Sequence, residues 1–207
     1  MRYFPMFVDI KDREILICGG GSHAAEKVQR LVPFGACIRI ISEKAPESIE
    51  RQEGVRAEKR RFEENDLDSF PVFVIAAEDR QENERIVSIC RRRHVPVNAV
   101  DMQDICDFIF PAMILSGQLC IGISTGGASP AAAVELKKRI AEQIPDNMDE
   151  ILDQMADIRS TVRERIPDRE GQRQAFRSMV RQAFQEGRPL DERELREITE
   201  SIIKKQE

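Results

Sequence analysis

The sequence predicts an α/β fold in its first half, then a β-hairpin with a helix, then a small all-helical end. Three observations predict it. Short apolar runs rich in branched residues alternate with stretches of helical spacing through the first half. Two β-prone runs then follow one another across Ser116-Gly117-Gln118, a hairpin foreign to a purely parallel sheet. Beyond Asn147 the chain is heavily charged, and its apolar residues recur only with helical period.

The first element is Glu14 to Cys18, a strand that stops at Gly19-Gly20-Gly21. Ala24, Val28, Leu31 and Val32 then share one helical face, Pro33 to Ala36 breaks the helix, and Cys37 to Ile41 is a second buried strand. A strand, a glycine turn, a helix and a strand make a right-handed β-α-β unit with parallel strands. A weak strand near Val55 to Glu58 continues the sheet, followed by a stronger one at Val72 to Ala76. A helix from about Asn83 to Arg92 and a strand at Val95 to Val100 come next. This is an open, Rossmann-type parallel sheet covered on both faces. The hairpin strands are Phe108 to Leu115 and Leu119 to Ser124. Ser129 then caps a helix with Pro130 at its first position, running to a stop before Pro145. In the helical end, Met148 to Val162 forms one apolar stripe and Phe176 to Phe184 a second. Asp191 with Glu194 opens a third helix with a capping box. The domain division expected from these elements is 1–112, 113–146 and 147–207, and Lys204-Lys205-Gln206-Glu207 reads as a solvated tail.

Composition narrows the function classes. The 207 residues are 41% hydrophobic and 33% charged with a net charge of −5, which argues against wholesale nucleic-acid binding and requires any anionic partner to meet a local basic patch. The opening apolar stretch is too short for a signal peptide, and no segment reaches the ~18 consecutive apolar residues of a membrane span. A cytoplasmic location is the expectation. Cys18, Cys37, Cys90, Cys106 and Cys120 are scattered, with no C-x-x-C pair, and read as reduced core residues. With only His23 and His94 beside them, no metal site is expected.

Gly19, Gly21 and Ala24 fit G-x-G-x-x-A at a strand-to-helix turn. The first glycine permits the tight turn, the second lets the backbone approach a pyrophosphate, and the small third residue lets helix and strand pack. The helix N-terminus then offers its N–H groups to phosphate. An acid at the end of the second strand commonly holds the ribose hydroxyls; Glu43 stands one or two residues past that place and reads equally as a surface carboxylate. Lys44 keeps NADP open beside NAD, because a cation there can take a 2′-phosphate. Asp101 follows a strand at the carboxyl edge, where open α/β sheets keep their active sites, but with Asp104 and Asp107 nearby it also reads as a turn or cap residue. Ser124, Thr125 and Gly126, before Gly127 and a helix start, form either a second anion-binding turn or a plain connection into a capped helix. Arg91-Arg92-Arg93 and Lys137-Lys138-Arg139 are the obvious stock of cations for a polycarboxylate.

Taken together, four stretches carry a resemblance. They are Tyr3-Phe4-Pro5-Met6-Phe7 with Ile15 to Gly21; Val97-Asn98-Ala99-Val100-Asp101; Asp107-Phe108-Ile109-Phe110-Pro111-Ala112; and Ile123-Ser124-Thr125-Gly126-Gly127 through Ser129-Pro130-Ala131. In order and spacing, over about residues 1–145, the chain resembles the precorrin-2 dehydrogenase and sirohydrochlorin ferrochelatase family, including the N-terminal part of siroheme synthase. The resemblance implies a homodimer joined through the hairpin and following helix. It implies oxidation of precorrin-2 by NAD to sirohydrochlorin, with Asp101 at the place of the family's essential aspartate. Ser22, His23, Glu43 and Lys44 match its NAD-contact positions. Ser124-Thr125 departs from the paired serines of some members, and the C-terminal helices match only in type.

Two further readings stay beside this one. Members differ in whether they also insert metal, so Fe²⁺ or Co²⁺ is a candidate second substrate, with Asp101 helping to remove pyrrole protons. From another class comes a non-catalytic NAD(H)-sensing module, which leaves Asp101 and the Ser-Thr-Gly-Gly turn without a task.

Overall fold

A computed structural model describes residues 3–44 and 52–204, and the charged tail beyond Lys204 lies outside them. The chain divides after Phe110 into two compact units.

The first unit is a five-stranded parallel sheet in the order β3-β2-β1-β4-β5, formed by Glu14–Cys18 (β1), Cys37–Ile41 (β2), Val55–Glu58 (β3), Val74–Ala76 (β4) and Val97–Ala99 (β5). Strand alternation explains its two-sided core. Ile15 and Ile17 point to one face, where they meet Ala24, Val28 and Leu31 of α1 (Ser22–Leu31). Leu16 and Cys18 point to the other, against Ile86, Val87 and Cys90 of α2 (Arg80–Arg92). All four β1 residues are essentially inaccessible to solvent, which is why the run lacks the polar alternation of a half-exposed strand. Helix α1 ends in a 3-10 turn, Val32–Phe34, and Gly35 takes φ 68° to release the chain into β2. Ile17 pairs with Ile40 on one side and with Ile75 on the other, so the strand order reverses at β1.

Three local differences from the sequence expectation have physical causes. Helix α2 begins at Arg80 because Asp79 accepts the Glu82 N–H and caps it. The β3–β4 connection is a 3-10 turn, Glu64–Ser69, whose Asp66 carboxylate is buried. Arg39 Nη1 (3.1 Å) and Arg60 Nη2 (2.6 Å) donate to that carboxylate, and so does the Glu63 N–H (2.8 Å). Burial pulls Asp66 upward, but the hydrogen bonds from Arg60 and Glu63 outweigh it and hold the carboxyl below its ordinary range. The strand Val72–Ala76 shortens to its last three residues, Val74–Ala76, and Val95–Val100 to Val97–Ala99.

The second unit opens with an antiparallel hairpin, Ala112–Ser116 (β6) and Leu119–Ile123 (β7), turned at Gly117 with φ 52°. A Cβ at Gly117 would lie 2.5 Å from Asp149 Cβ, and Gln118 Nε2 donates to Asp153 Oδ1 at 2.6 Å, so the turn is seated on α4 (Met148–Asp157). Between them runs α3 (Pro130–Ala141), capped by Ser129 as the sequence predicts, which buries only Ala133. The expected single stripe from Met148 to Val162 is two helices, α4 and α5 (Arg159–Arg165), because Ile158 at ψ −4° turns the axis while still packing on the core. Helices α6 (Arg169–Glu186) and α7 (Glu192–Ile203) complete four helices around Ile151, Val162, Ile166, Ala175, Met179 and Ile202. The Asp191/Glu194 capping box is present.

Candidate functional site

Every predicted nucleotide residue lies at the carboxyl edge of the sheet. Gly19 adopts φ 135°, and a Cβ there would stand 2.4 Å from the Ala77 carbonyl oxygen, so only glycine fits between β1 and the end of β4. Its N–H donates to Ile41 (3.0 Å), and the Ala77 N–H to Cys18 (2.7 Å), which pins the three strand ends together. Gly21 is the N-cap of α1; among the described residues nothing lies within 4 Å of where its Cβ would be, and no side chain caps the helix. The first-turn N–H groups at Ser22 and His23 thus have no side-chain cap among the described residues, with the positive end of the helix dipole behind them. Ala24 is fully buried against β1, the close helix–strand packing its size predicts.

Asp101 comes to the same edge from β5. The Val100 N–H donates to Ala76 (2.9 Å), after which Asp101 turns through the left-handed region at φ 59°. That conformation costs a non-glycine residue about 1 kcal/mol, and such local strain concentrates at functional sites. The loop is over-determined around it. The Cys106 thiol accepts from the Ala99 N–H (3.2 Å) and donates to the Ala99 carbonyl (3.1 Å), Asn98 Nδ2 donates to Phe108 (2.9 Å), and Asp107 accepts from the Val97 N–H (3.0 Å). Asp107 is thus a strand-end lock, whereas the Asp101 carboxylate is 83% exposed and lies 3.8 Å from His23 Nε2. This meeting of His23 with Asp101 has no signature in the sequence.

At the end of β2, a cleft of about 530 Å³ is lined by Ser42, Glu43, Lys44, Arg61 and Asp79 with Cys18 at its wall. Glu43 accepts from Arg61 Nε at 3.2 Å. Ser42, which the sequence reading passed over, is buried; its hydroxyl donates to Glu78 (3.0 Å) and accepts the Lys44 N–H (3.2 Å), fixing the chain that presents Glu43 and Lys44. Burial drives the Cys18 thiol well above its ordinary value and the Cys90 thiol up to about 12, so neither is a nucleophile. Two of the five cysteines depart from the core expectation: Cys37 is exposed and Cys120 only partly covered.

Ser124, Thr125 and Gly126 belong to the second unit, where they form a self-contained turn. The Gly126 N–H donates to Ser124 Oγ (3.1 Å), while Thr125 Oγ1 donates to the Ser129 carbonyl (3.0 Å) and accepts the Ser129 N–H (3.1 Å). The turn shapes the entry to α3, and the Thr125 hydroxyl is already engaged. The expected cations are largely committed too. Arg91 donates to the Ile105 carbonyl, Arg92 pairs with Glu64, Arg93 with Asp68 and Arg139 with Glu135. His94, at φ 55°, ends α2, with the Val95 N–H returning to Cys90 (2.9 Å). Among the described residues no cluster of three or more His, Cys, Asp or Glu could hold a metal, and no helix is long and apolar enough to cross a membrane.

Comparison with known proteins agrees with this geometry. Residues 6–112 match the family described as putative NAD(P)-binding, and residues 117–143 match the central segment of sirohaem biosynthesis proteins. Siroheme synthase of Methylococcus capsulatus is 38% identical over 148 residues, which is 70% of this chain and 31% of that protein. The one from Thioalkalivibrio sulfidiphilus is 35% identical, over 70% of this chain and 30% of that protein. The chain thus spans about a third of the length of these relatives. Among solved structures, the precorrin-2 dehydrogenase SirC superposes with a TM-score of 0.71 at 19% identity, covering 98% of this chain and 100% of that one, which establishes a shared fold for both units. The chain belongs to the putative NAD(P)-binding family, and a sirohaem biosynthesis central segment follows directly on that domain.

Proposed function

We propose that this chain oxidises precorrin-2 to sirohydrochlorin, passing a hydride to NAD while a proton leaves the macrocycle. The observation that carries the reading is Asp101, a strained, exposed carboxylate 3.8 Å from His23, which stands on the glycine turn itself. A nucleotide fits the residues present. The Gly21 position leaves room for a pyrophosphate, and the uncapped start of α1 supplies the N–H groups at Ser22 and His23. We assign the ribose hydroxyls to Glu43 at the end of β2, and its pairing with Arg61, which leaves that cation less free for a 2′-phosphate, supports NAD as the cofactor. When bound, the nicotinamide supplies the hydride acceptor. The chain's own residues do the rest: the backbone at Gly19 to His23 orients the cofactor, and Asp101 Oδ2 takes the departing proton. His23, whose Nε2 lies 3.8 Å from that carboxylate, is the neighbouring group that can pass the proton outward.

We divide the working molecule into a nucleotide domain (1–112), a dimerisation region (113–146) and a helical domain (147–207). Helix α3 buries only Ala133 and leaves Val134 and Leu136 exposed on different sides of its axis; we assign the Leu136 side, which Ala133 and Ile140 share at helical spacing, to contact with a second copy of the chain. Leu136→Glu is expected to convert a dimer to monomers in light scattering; an unchanged mass would remove α3 from the interface. We place the reaction in the cytoplasm, in keeping with five free cysteines.

The test is an anaerobic assay of purified protein with precorrin-2 and NAD, following NADH, and then with added Fe²⁺ or Co²⁺ as metal substrate. NADH formation is the expected result, and bound NAD without NADH would sink the enzyme reading. Metallated product would add ferrochelation, in which Asp101 accepts pyrrole protons.

A further inference from the structure

The helical unit holds a concavity that the proposed chemistry has not used. It has a volume of about 690 Å³ and is lined by Arg159, Arg163, Arg169, Arg173 and Arg177 around Phe176. The spacing makes two rows. Arg159 and Arg163 stand one turn apart on α5; Arg169, Arg173 and Arg177 recur at every fourth position of α6, sharing one face over about 12 Å of helix. The rows are held in register from below. Val162 and Ile166 are buried in the helical core, Gln172 Nε2 donates to the Ile166 carbonyl at 2.8 Å, and Asp168 accepts the Gly171 N–H at 2.7 Å to start α6 at that corner.

The charges in this groove are not matched. Among the described residues no carboxylate pairs with Arg159, Arg163, Arg169 or Arg177, and Arg173 has Glu170 at 3.7 Å. In the first unit, by contrast, every described arginine from Arg30 to Arg93 has a carboxylate partner. A protein with net charge −5 has acids to spare, yet five guanidinium groups face one hollow. All five are exposed, so a multiply charged anion entering the hollow would meet several of them at once.

We propose that this groove binds a polycarboxylate, gripping the rim carboxylates of the tetrapyrrole with the two arginine rows and lying against Phe176. The proposal rests on the reading of the substrate given above. Guanidinium forks match carboxylates bidentately, and an aromatic side chain among them offers a face to a flat ring. A linear polyphosphate would engage one row and leave both the other row and Phe176 without a partner; a disc with acids around its edge uses all three.

The test titrates the full chain with uroporphyrin, an octacarboxylate porphyrin, and with coproporphyrin, its tetracarboxylate counterpart, following porphyrin fluorescence. Uroporphyrin is expected to bind more tightly, and increasingly weakly as salt rises. Arg163→Glu combined with Arg177→Glu should weaken it at least about tenfold, whereas Arg196→Glu, an exposed charge reversal outside the groove, should change it less than about twofold. Thermal melting and NAD affinity of the double variant should match the parent. Equal uroporphyrin affinity in the double variant overturns the site, and so does tighter, groove-dependent binding of a single-stranded oligonucleotide. Precorrin-2 turnover with groove-independent uroporphyrin binding overturns the groove and leaves the dehydrogenase standing. Groove-dependent binding without turnover supports the groove and overturns the dehydrogenase.

Discussion

The two units handle charge in opposite ways. In the nucleotide unit, arginines are consumed internally: Arg39 and Arg60 converge on buried Asp66, and Arg91 to Arg93 are tied to a carbonyl, Glu64 and Asp68. What that unit presents at its working edge is backbone: Gly19, the Gly21 cap and the left-handed Asp101. The second unit leaves four of the five groove arginines without a carboxylate partner among the described residues, and Val134 and Leu136 of α3 exposed. One unit uses up its arginines internally and offers backbone and the Asp101 carboxylate at the carboxyl edge of its sheet; the other leaves charged and apolar side chains uncovered.

That contrast can be broken at graded cost. Gly19→Ala should have the largest effect, because the new Cβ meets a carbonyl oxygen and φ 135° is closed to alanine. A loss of more than about 3 kcal/mol in chemical unfolding, with abolished NAD binding, is expected. A near-normal variant would mean that β1 and β4 can separate there.

Asp66→Asn should cost about 3 kcal/mol at neutral pH by stranding Arg39 and Arg60. Since the native carboxyl is held below its ordinary value of 3.8, its contribution is complete above that pH and disappears as pH falls through the lowered native value. The stability gap between parent and variant should therefore close in acid; a gap independent of pH would contradict the charge argument. In the second unit, Ser129→Ala removes the bond to the Ala132 N–H and should cost about 1 kcal/mol without touching NAD affinity.

Much of this was legible in sequence wherever the cause is local. Branched residues at Ile15 to Ile17, the Ser129-Pro130 helix start and the Asp191/Glu194 capping box each act within a few residues, and each is present in the fold. The glycine turn was legible for the same reason. The 3-10 turn around Asp66 and the bend at Ile158 were not, because tertiary partners decide them: Arg39, Arg60 and the helical core; the Asp79 cap, which acts on Glu82 three residues on, was local and was passed over. The site divides along the same line. Asp101 could be placed at a strand end from sequence, but its approach to His23 depends on β4 lying between β1 and β5. The arginines of α6 carry a readable fourfold spacing, yet their facing row on α5 becomes adjacent only through the buried corner at Ile166. Sequence reading instead favoured Arg91 to Arg93, a contiguous run that the fold spends on its own acids and a carbonyl.

The central claim is that Asp101 takes the proton as hydride leaves the macrocycle. The direct measurement is anaerobic single-turnover NADH formation from precorrin-2 by the parent and by Asp101→Asn, alongside NAD affinity of each. The account predicts that the variant binds NAD within about twofold of the parent while losing at least about a hundredfold in rate, the scale of a lost general base. Unimpaired NADH formation in the variant, or loss of NAD binding with it, would contradict the assignment.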